Sequence, residues 1–508
     1  MMDSCLLYRD SSAEGRKSYY AQYDIIKDIN LDILFRTMGR ADAFITEKCR
    51  KIMMIPLGEP EEILYRQRVI EDFYAGQELL DSLYECAVRQ HRALRIYKEE
   101  TEKNRQKSTK KTSEILETLK YLGQGQEELL FIRSLLAENR EKLHSEGLQA
   151  LLARLEGEPL DKISEKLQEL DFFVAGGEIG YTFQFGGGLK IGNAVVNYCQ
   201  SIKQPKKKAR QGSLQKFYYN FVKRNAIPIN SNGALQQDVS HLKEFTMQQV
   251  LKIFSGYLGR MMKFFEHFSE EIAFYRGVVN FMSRMHELTI PLAMPVPQPA
   301  GTKDTRFKDL YELSMAIYLQ SKPVGNTLEL NDTVLTLITG ANQGGKSTFL
   351  RSYGIAQILM QCGMPVPAKE FLAPVYRQVF THFTRREDEQ LNSGRLREEL
   401  QRMGNMIKAA GPGCIFLLNE SLASTTEKEG SKIAEGILRA FYEKEITTIM
   451  VTHLFQLAKT LYAEGLDGTA FLVAERKQDG ARTYRMLPGE PGYTSYGTDL
   501  FQILESEL

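Results

Sequence analysis

The sequence has no CxxC pair among its six cysteines (Cys5, Cys49, Cys86, Cys199, Cys362 and Cys414), which argues against a zinc site or a disulfide framework. Core thiols in a reducing compartment are expected. No apolar run approaches the ~20 residues of a membrane span, and the opening MMDSCLLYRDSS has neither a basic n-region nor a long apolar stretch. A cytoplasmic location is therefore expected. Net charge is also nearly missing, with 65 Lys and Arg against 64 Asp and Glu, so any nucleic-acid binding has to come from local clustering. No repeat of solenoid or propeller length stands out. What is present is 508 residues, 43% hydrophobic and 25% charged, enough for roughly three domains of about 150 residues and too much for one small binding module.

From Glu61 to Tyr97 the apolar residues Ile63, Ile70, Phe73, Leu80, Leu83 and Ala87 recur at helical spacings, which predicts one long helix with a buried stripe. Pro60, Glu61 and Glu62 suit its first turn. Residues 99–111 are almost wholly polar, and leucine-rich helical patterns resume over Ile115–Leu136 and Leu148–Leu170, as in extended arms. After Phe172 the pattern alternates through Tyr181, Phe183 and Phe185, turns at three glycines and continues in Leu189 and Ile191, which predicts a β-hairpin. Between Lys203 and Arg224 stand eight basic residues and no acid: Lys203, Lys206, Lys207, Lys208, Arg210, Lys216, Lys223 and Arg224. Phe217, Tyr218, Tyr219 and Phe221 are interleaved with them, a combination suited to contact with a nucleic-acid backbone, although a plain solvated basic loop has the same composition. Helical patterning returns over Asp238–Glu287, and Pro291–Lys303, with four prolines, reads as a linker.

Strands and helices then alternate: Val334–Thr339, helix Lys346–Gln361, Gln378–Phe383, helix Arg395–Ala410, Cys414–Leu418, helix Lys428–Glu443 and Thr447–Thr452. That order predicts a mainly parallel sheet covered by helices.

The residues Gly340, Ala341, Asn342, Gln343, Gly344, Gly345, Lys346 and Ser347, followed by Thr348, fit the pattern GxxxxGK plus Ser or Thr between an apolar strand and a helix. Glycines there let successive backbone N–H groups face phosphates at a helix N-terminus, Lys346 adds a positive charge, and the Ser347 hydroxyl is a ligand for Mg²⁺. ATP and Mg²⁺ are the expected ligands. CIFLLNE ends in Asn419 and Glu420 at the close of a second strand, where Glu420 is the candidate base for orienting attacking water and Asn419 stands where an acid is expected beside the metal. A strand-end surface carboxylate is the plainer reading of Glu420. His453, ending ITTIMVT, is placed to meet the γ-phosphate or its water, or else simply caps the strand. LNSGR puts Ser393 at a helix start, where it could meet a phosphate from another subunit or act only as a cap.

Taken together, these motifs resemble the MutS family of DNA mismatch-repair ATPases. TGANQGGKSTFLR resembles that family's phosphate loop, CGMPVPA its following helix end, FTR with NSGRL its signature segment, LLNE its second acidic strand, TTEKEG the adjoining loop, VTHLFQLA its switch histidine, and LPGEPGYTSYG its closing pattern. Upstream, LDILFRTMGR with IPLGEPEEILYRQRVIEDF looks like the start of the lever, and FYRGVVNFMSRMHELTIPLAMP like its return helix. The likeness runs from Leu31 to Gly497 and is sparse between residues 100 and 240.

The resemblance implies an α-helical lever and clamp region plus an α/β P-loop NTPase domain of ABC type. Residues 1–30 would be an extension, 31–170 the first half of the lever, 171–237 a clamp-like insert, 238–295 the return helices, and 296–508 the ATPase. It further implies a homodimer or heterodimer with composite ATP sites, Ser393 acting in trans, and a nucleotide-driven clamp on duplex or branched DNA in repair or recombination. With only residues 1–30 ahead of the lever, the mismatch-reading and connector domains are expected to be absent, so mismatch specificity is not carried over. Phe264–Glu266 and Phe268–Glu270 spell the Phe-x-Glu reader only within a lever helix. Two other classes remain: a non-hydrolysing ATP-gated scaffold, suggested by Asn419, and a transporter-type ATPase, which LNSGR faintly resembles.

Overall fold

A computed structural model describes residues 4–9, 15–107, 111–165, 167, 178–185, 191–200, 233–384, 395–422, 424–477 and 481–492. The chain divides into two compact units. One comprises Met1–Ser4, Ser82–Arg140 and Ala150–Ser269, and the other Cys5–Asp81, Glu141–Gln149 and Glu270–Leu508.

The first unit is built on helices. Leu122, Leu129, Ile132 and Leu136, spaced by three, four and seven along the helix Lys111–Glu138, are fully buried, as are Phe265 and Phe268 of the helix Gly233–Glu287. Gly125 lets these two helices meet closely, since a Cβ there would lie 2.3 Å from the Met261 Cε. The expected hairpin is present as β1 (Glu178–Phe185) and β2 (Ile191–Gln200), paired antiparallel with Phe183 opposite Ala194.

The long helix expected over Glu61–Tyr97 is in fact two, Pro60–Ala75 and Gln77–Lys107, separated at Gly76. Gly76 leaves helical geometry at φ −110°, ψ 59°, a break that a residue without Cβ makes readily. All six apolar positions of the stripe are nonetheless buried. Leu148–Leu170 is likewise not continuous: the helix Glu146–Gly157 stops ahead of Pro159, which cannot supply an interior N–H, and residues 160–165 form a new helical turn. Residues 168–170 lie outside the described residues.

The second unit holds two sheets formed from β3 (Val296–Gln298), β4 (Thr305–Leu310), β5 (Asn326–Leu330), β6 (Leu335–Thr339), β7 (Glu370–Pro374), β8 (Gln378–Phe383), β9 (Cys414–Asn419), β10 (Thr447–Val451), β11 (Thr469–Arg476) and β12 (Arg482–Pro488). The larger sheet has the order β12-β11-β6-β10-β9-β8, parallel throughout except that β12 runs antiparallel to β11. It is covered by the helices Lys346–Gln361, Arg395–Ala409, Glu427–Glu443 and Phe455–Glu464. Strands buried on both faces need no polar alternation, which is why β9 reads Cys-Ile-Phe-Leu-Leu before its first polar residue. Phe416 of β9 stacks on Phe380 at 4.7 Å and meets Phe441 at 4.4 Å.

The smaller sheet, ordered β3-β7-β4-β5, overturns the reading of Pro291–Lys303 as a linker, because β3 lies within it and pairs parallel with β7. Prolines are tolerated there because β3 is an edge strand, and a proline carbonyl still accepts: Gln67 Nε2 donates to the Pro295 oxygen at 2.9 Å. Among the described residues, no helix is long and apolar enough to cross a membrane.

Candidate functional site

The loop Gly340–Gly345 joins β6 to the helix Lys346–Gln361 and depends on glycine for its shape. Gly340 (φ +116°) and Gly345 (φ +90°) sit in conformations that L side chains rarely adopt. At Gly344 the constraint is space, since a Cβ would lie 2.9 Å from the Ala341 oxygen and from the Ala474 Cβ. Gly345 is the residue before the helix and supplies no side-chain cap, which leaves first-turn N–H groups for an anion. The cradle and donors fit a phosphate group.

Lys346 is buried and its ammonium donates to the Gly340 oxygen at 2.7 Å and the Ala341 oxygen at 3.0 Å. Burial holds its pKa below the usual lysine range, and the Glu420 carboxylate opposes that shift. Ser347 Oγ donates to Asn419 Oδ1 at 2.8 Å, keeping its own lone pairs for a cation. The fit to a magnesium ion is thus a hydroxyl and an amide oxygen. Among the described residues, no three His, Cys, Asp or Glu side chains gather as a metal-holding group.

Asn419 ends β9, and Glu420 follows in a left-handed conformation (φ +54°) with its N–H donating to the Val451 oxygen at 2.8 Å. Parallel pairing sets Val451 opposite Asn419, so β10 delivers His453 two residues further on. A cavity of ≈ 530 Å³ collects Asn342–Thr348 and Glu420 at one side. His453 is not among the described residues that line it. Ser393 and the basic residues Lys203, Lys206, Lys207, Lys208, Arg210, Lys216, Lys223 and Arg224 lie outside the described residues.

The sequence reading missed the rest of the cavity, an apolar wall of Leu310, Met315, Leu319, Pro323, Val324 and Tyr484. Tyr484 reaches it through topology. It sits on β12 next to β11, which pairs with β6, and its backbone is left-handed (φ +61°), as residues near ligands often are. Neighbouring Arg482 donates to Gln343 Oε1 at 2.7 Å. Glu312 also lines the cavity, and burial raises its carboxyl pKa while it caps the helix Leu313–Leu319 through the Met315 N–H. No local motif marks these positions.

Comparison with known proteins bears on both parts of the chain. Residues 336–505 match the family model for MutS domain V, and residues 58–288 match that for the MutS2 N-terminal domain. The chain is 33% identical over 180 residues to the DNA mismatch repair protein MutS of Thermus aquaticus, covering 35% of this chain and 22% of that protein. It is 27% identical over 228 residues to the Endonuclease MutS2 of Thermus thermophilus, covering 44% of this chain and 30% of that protein. A similar likeness, 28% over 188 residues, relates it to the Endonuclease MutS2 of Halothermothrix orenii, with 36% and 23% covered. The matches thus span less than a third of each of these relatives.

Proposed function

We propose that this chain, which belongs to the MutS family, binds ATP in the cavity behind Gly340–Ser347, hydrolyses it, and uses the cycle to control a grip on DNA. The observation that carries this reading is the convergence on one cavity of the glycine-shaped loop, Lys346, Ser347 and Glu420, with Asn419 bonded to Ser347 from behind the lining. Each has a role toward a triphosphate. Loop N–H groups bind the phosphates, and Lys346 turns its ammonium from two backbone carbonyls toward phosphate oxygens. Ser347 and Asn419 would hold the magnesium ion or its water shell, the ion supplying charge neutralisation between phosphate oxygens when bound. Glu420 orients and deprotonates the attacking water, with His453 near the end of β10 as a second polar group. The apolar wall, with Tyr484, gives the base a surface to stack on.

In this account two copies, or this chain and another MutS-type subunit, close over ATP with Ser393 completing the partner's site. Residues 31–170 and 238–295 serve as lever halves, 171–237 as the DNA-contacting insert and 296–508 as the ATPase. The relatives named for mismatch repair and as MutS2 endonucleases support a role in DNA repair, without a commitment to mismatches. A second reading, an ATP-gated scaffold that does not turn over, is favoured by Asn419, since an amide beside Ser347 leaves the cation one negative charge short. Phosphate release from ATP separates the two. Turnover that falls at least about tenfold in Glu420→Gln supports the enzyme, and tight ATP binding without turnover in the unmodified chain supports the scaffold.

A further inference from the structure

The three residues after β9 hold an unusual backbone. Glu420 (φ +54°) and Leu422 (φ +66°) are both left-handed although neither is glycine, and such a path persists only where its surroundings over-determine it. The restraints are visible one by one. Thr384 Oγ1 donates to the Glu420 oxygen at 2.7 Å, and the Glu420 N–H is taken by Val451. Ser421 Oγ donates to the His382 oxygen at 2.9 Å. The Leu422 side chain is buried in the core of the main sheet, and its carbonyl lies so near the helix Glu427–Glu443 that only glycine fits at 430.

The remaining restraint comes from elsewhere in the chain. Glu399, on the helix Arg395–Ala409, uses both carboxylate oxygens on this turn: Oε1 accepts from the Leu422 N–H at 2.7 Å, and Oε2 from Ser424 Oγ at 2.7 Å. A carboxylate accepting two such bonds is a strong, directional tie. The same helix is fixed to β8 one turn later, where Arg402 donates to the Phe383 oxygen at 2.7 Å. Among the described residues, by contrast, nothing hydrogen-bonds the Glu420 carboxylate, so apart from the attraction of Lys346 its position in the cavity follows its backbone.

We propose that Glu399 is a positioning residue for hydrolysis, bracing Leu422 and Ser424 so that the Glu420 carboxylate is held toward the attacking water. The proposal rests on the reading of Glu420 as the base. Glu399 touches neither nucleotide nor metal in this scheme, and it acts by fixing the backbone two residues beyond Glu420. Because the brace hangs from the helix Arg395–Ala409, any shift of that helix is passed to Glu420, which makes turnover, and not affinity, the quantity it governs.

The test compares the unmodified chain with Glu399→Ala, Glu399→Gln and Ser424→Ala, reading kcat, the equilibrium affinity for ATP, and amide hydrogen exchange over residues 414–424. Glu399→Ala is expected to lower kcat by on the order of 10- to 100-fold, the size of effect that a misplacement of about 1 Å produces. ATP affinity should stay within about twofold, and exchange should quicken at Leu422 while Ile415–Leu418 stay protected. Glu399→Gln keeps an oxygen for the Leu422 N–H and should recover most of kcat, with Ser424→Ala falling between the two. Unchanged kcat in Glu399→Ala overturns the proposal, as does a parallel loss of affinity and of protection throughout β9, which would mean a merely structural role. Absence of turnover in the unmodified chain would overturn the reading of Glu420, and the proposal with it. That case is recognisable because Leu422 exchange would still respond to Glu399→Ala.

Discussion

Ser347 Oγ donates to Asn419 Oδ1 at 2.8 Å, so the first turn of the phosphate-loop helix and the end of β9 are joined by two neutral groups. An aspartate at 419 could keep that hydrogen bond and add one negative charge beside the cation. Asn419→Asp is therefore expected to raise ATP turnover by about tenfold, read as steady-state phosphate release at saturating Mg²⁺. Slower turnover would show that the site is adapted to the amide.

Lys346 holds a buried positive charge against two carbonyls of its own loop. Lys346→Ala should weaken ATP binding by at least about 100-fold in equilibrium titration with a fluorescent analogue, since the phosphates lose their cationic partner. Its melting temperature should stay close to that of the parent. Unchanged affinity would remove Lys346 from the site.

Gly430 lies in the helix Glu427–Glu443, where a Cβ would come 2.7 Å from the Leu422 carbonyl oxygen. Backbone cannot yield as a flexible side chain can. Gly430→Ala should cost about 1–3 kcal/mol in urea unfolding, despite the higher helix propensity of alanine, and should slow turnover by disturbing the turn after Glu420. A stabilised variant would contradict the packing described.

Asp28 ends the helix Gln22–Asp28, buried against β8, and its carboxyl pKa is raised from 3.8 to about 6. Burial is the main cause, with Asp24 adding to it, while Thr381, Arg402 and the Phe383 N–H pull the other way. Between those two pH values the folded chain keeps a proton that the unfolded chain has lost, so stability is greatest below the window and falls as pH rises through it. A gap of this size corresponds to about 3 kcal/mol. Urea melts at pH 4 and pH 7 should show the parent losing about that much relative to Asp28→Asn. Equal slopes would refute it.

What was legible in the sequence was whatever depends on neighbours in the chain. Apolar runs and a glycine-rich loop marked β6, β8, β9 and β10 and the helices between them, because a strand covered on both faces and a phosphate loop each have a local signature. The breaks at Gly76 and at Glu158–Pro159 were missed because the apolar stripe continues across an interruption of only one or two residues. β3 was missed because four prolines look like a linker unless the strand is known to be an edge. The apolar wall of the cavity was invisible for a different reason: Leu310, Val324 and Tyr484 meet only once β12 and β11 have paired beside β6. Glu399 left no trace either, since its partners Leu422 and Ser424 are brought to it by tertiary packing alone.

If nucleotide state governs contact with DNA, duplex and branched DNA binding measured with ATP and with ADP at two salt concentrations is the most direct test. The expected result is an affinity that falls steeply with salt and differs by at least about fivefold between the two nucleotides, with the difference lost in Lys346→Ala. Binding that is indifferent to nucleotide, or no salt-dependent binding at all, would contradict it.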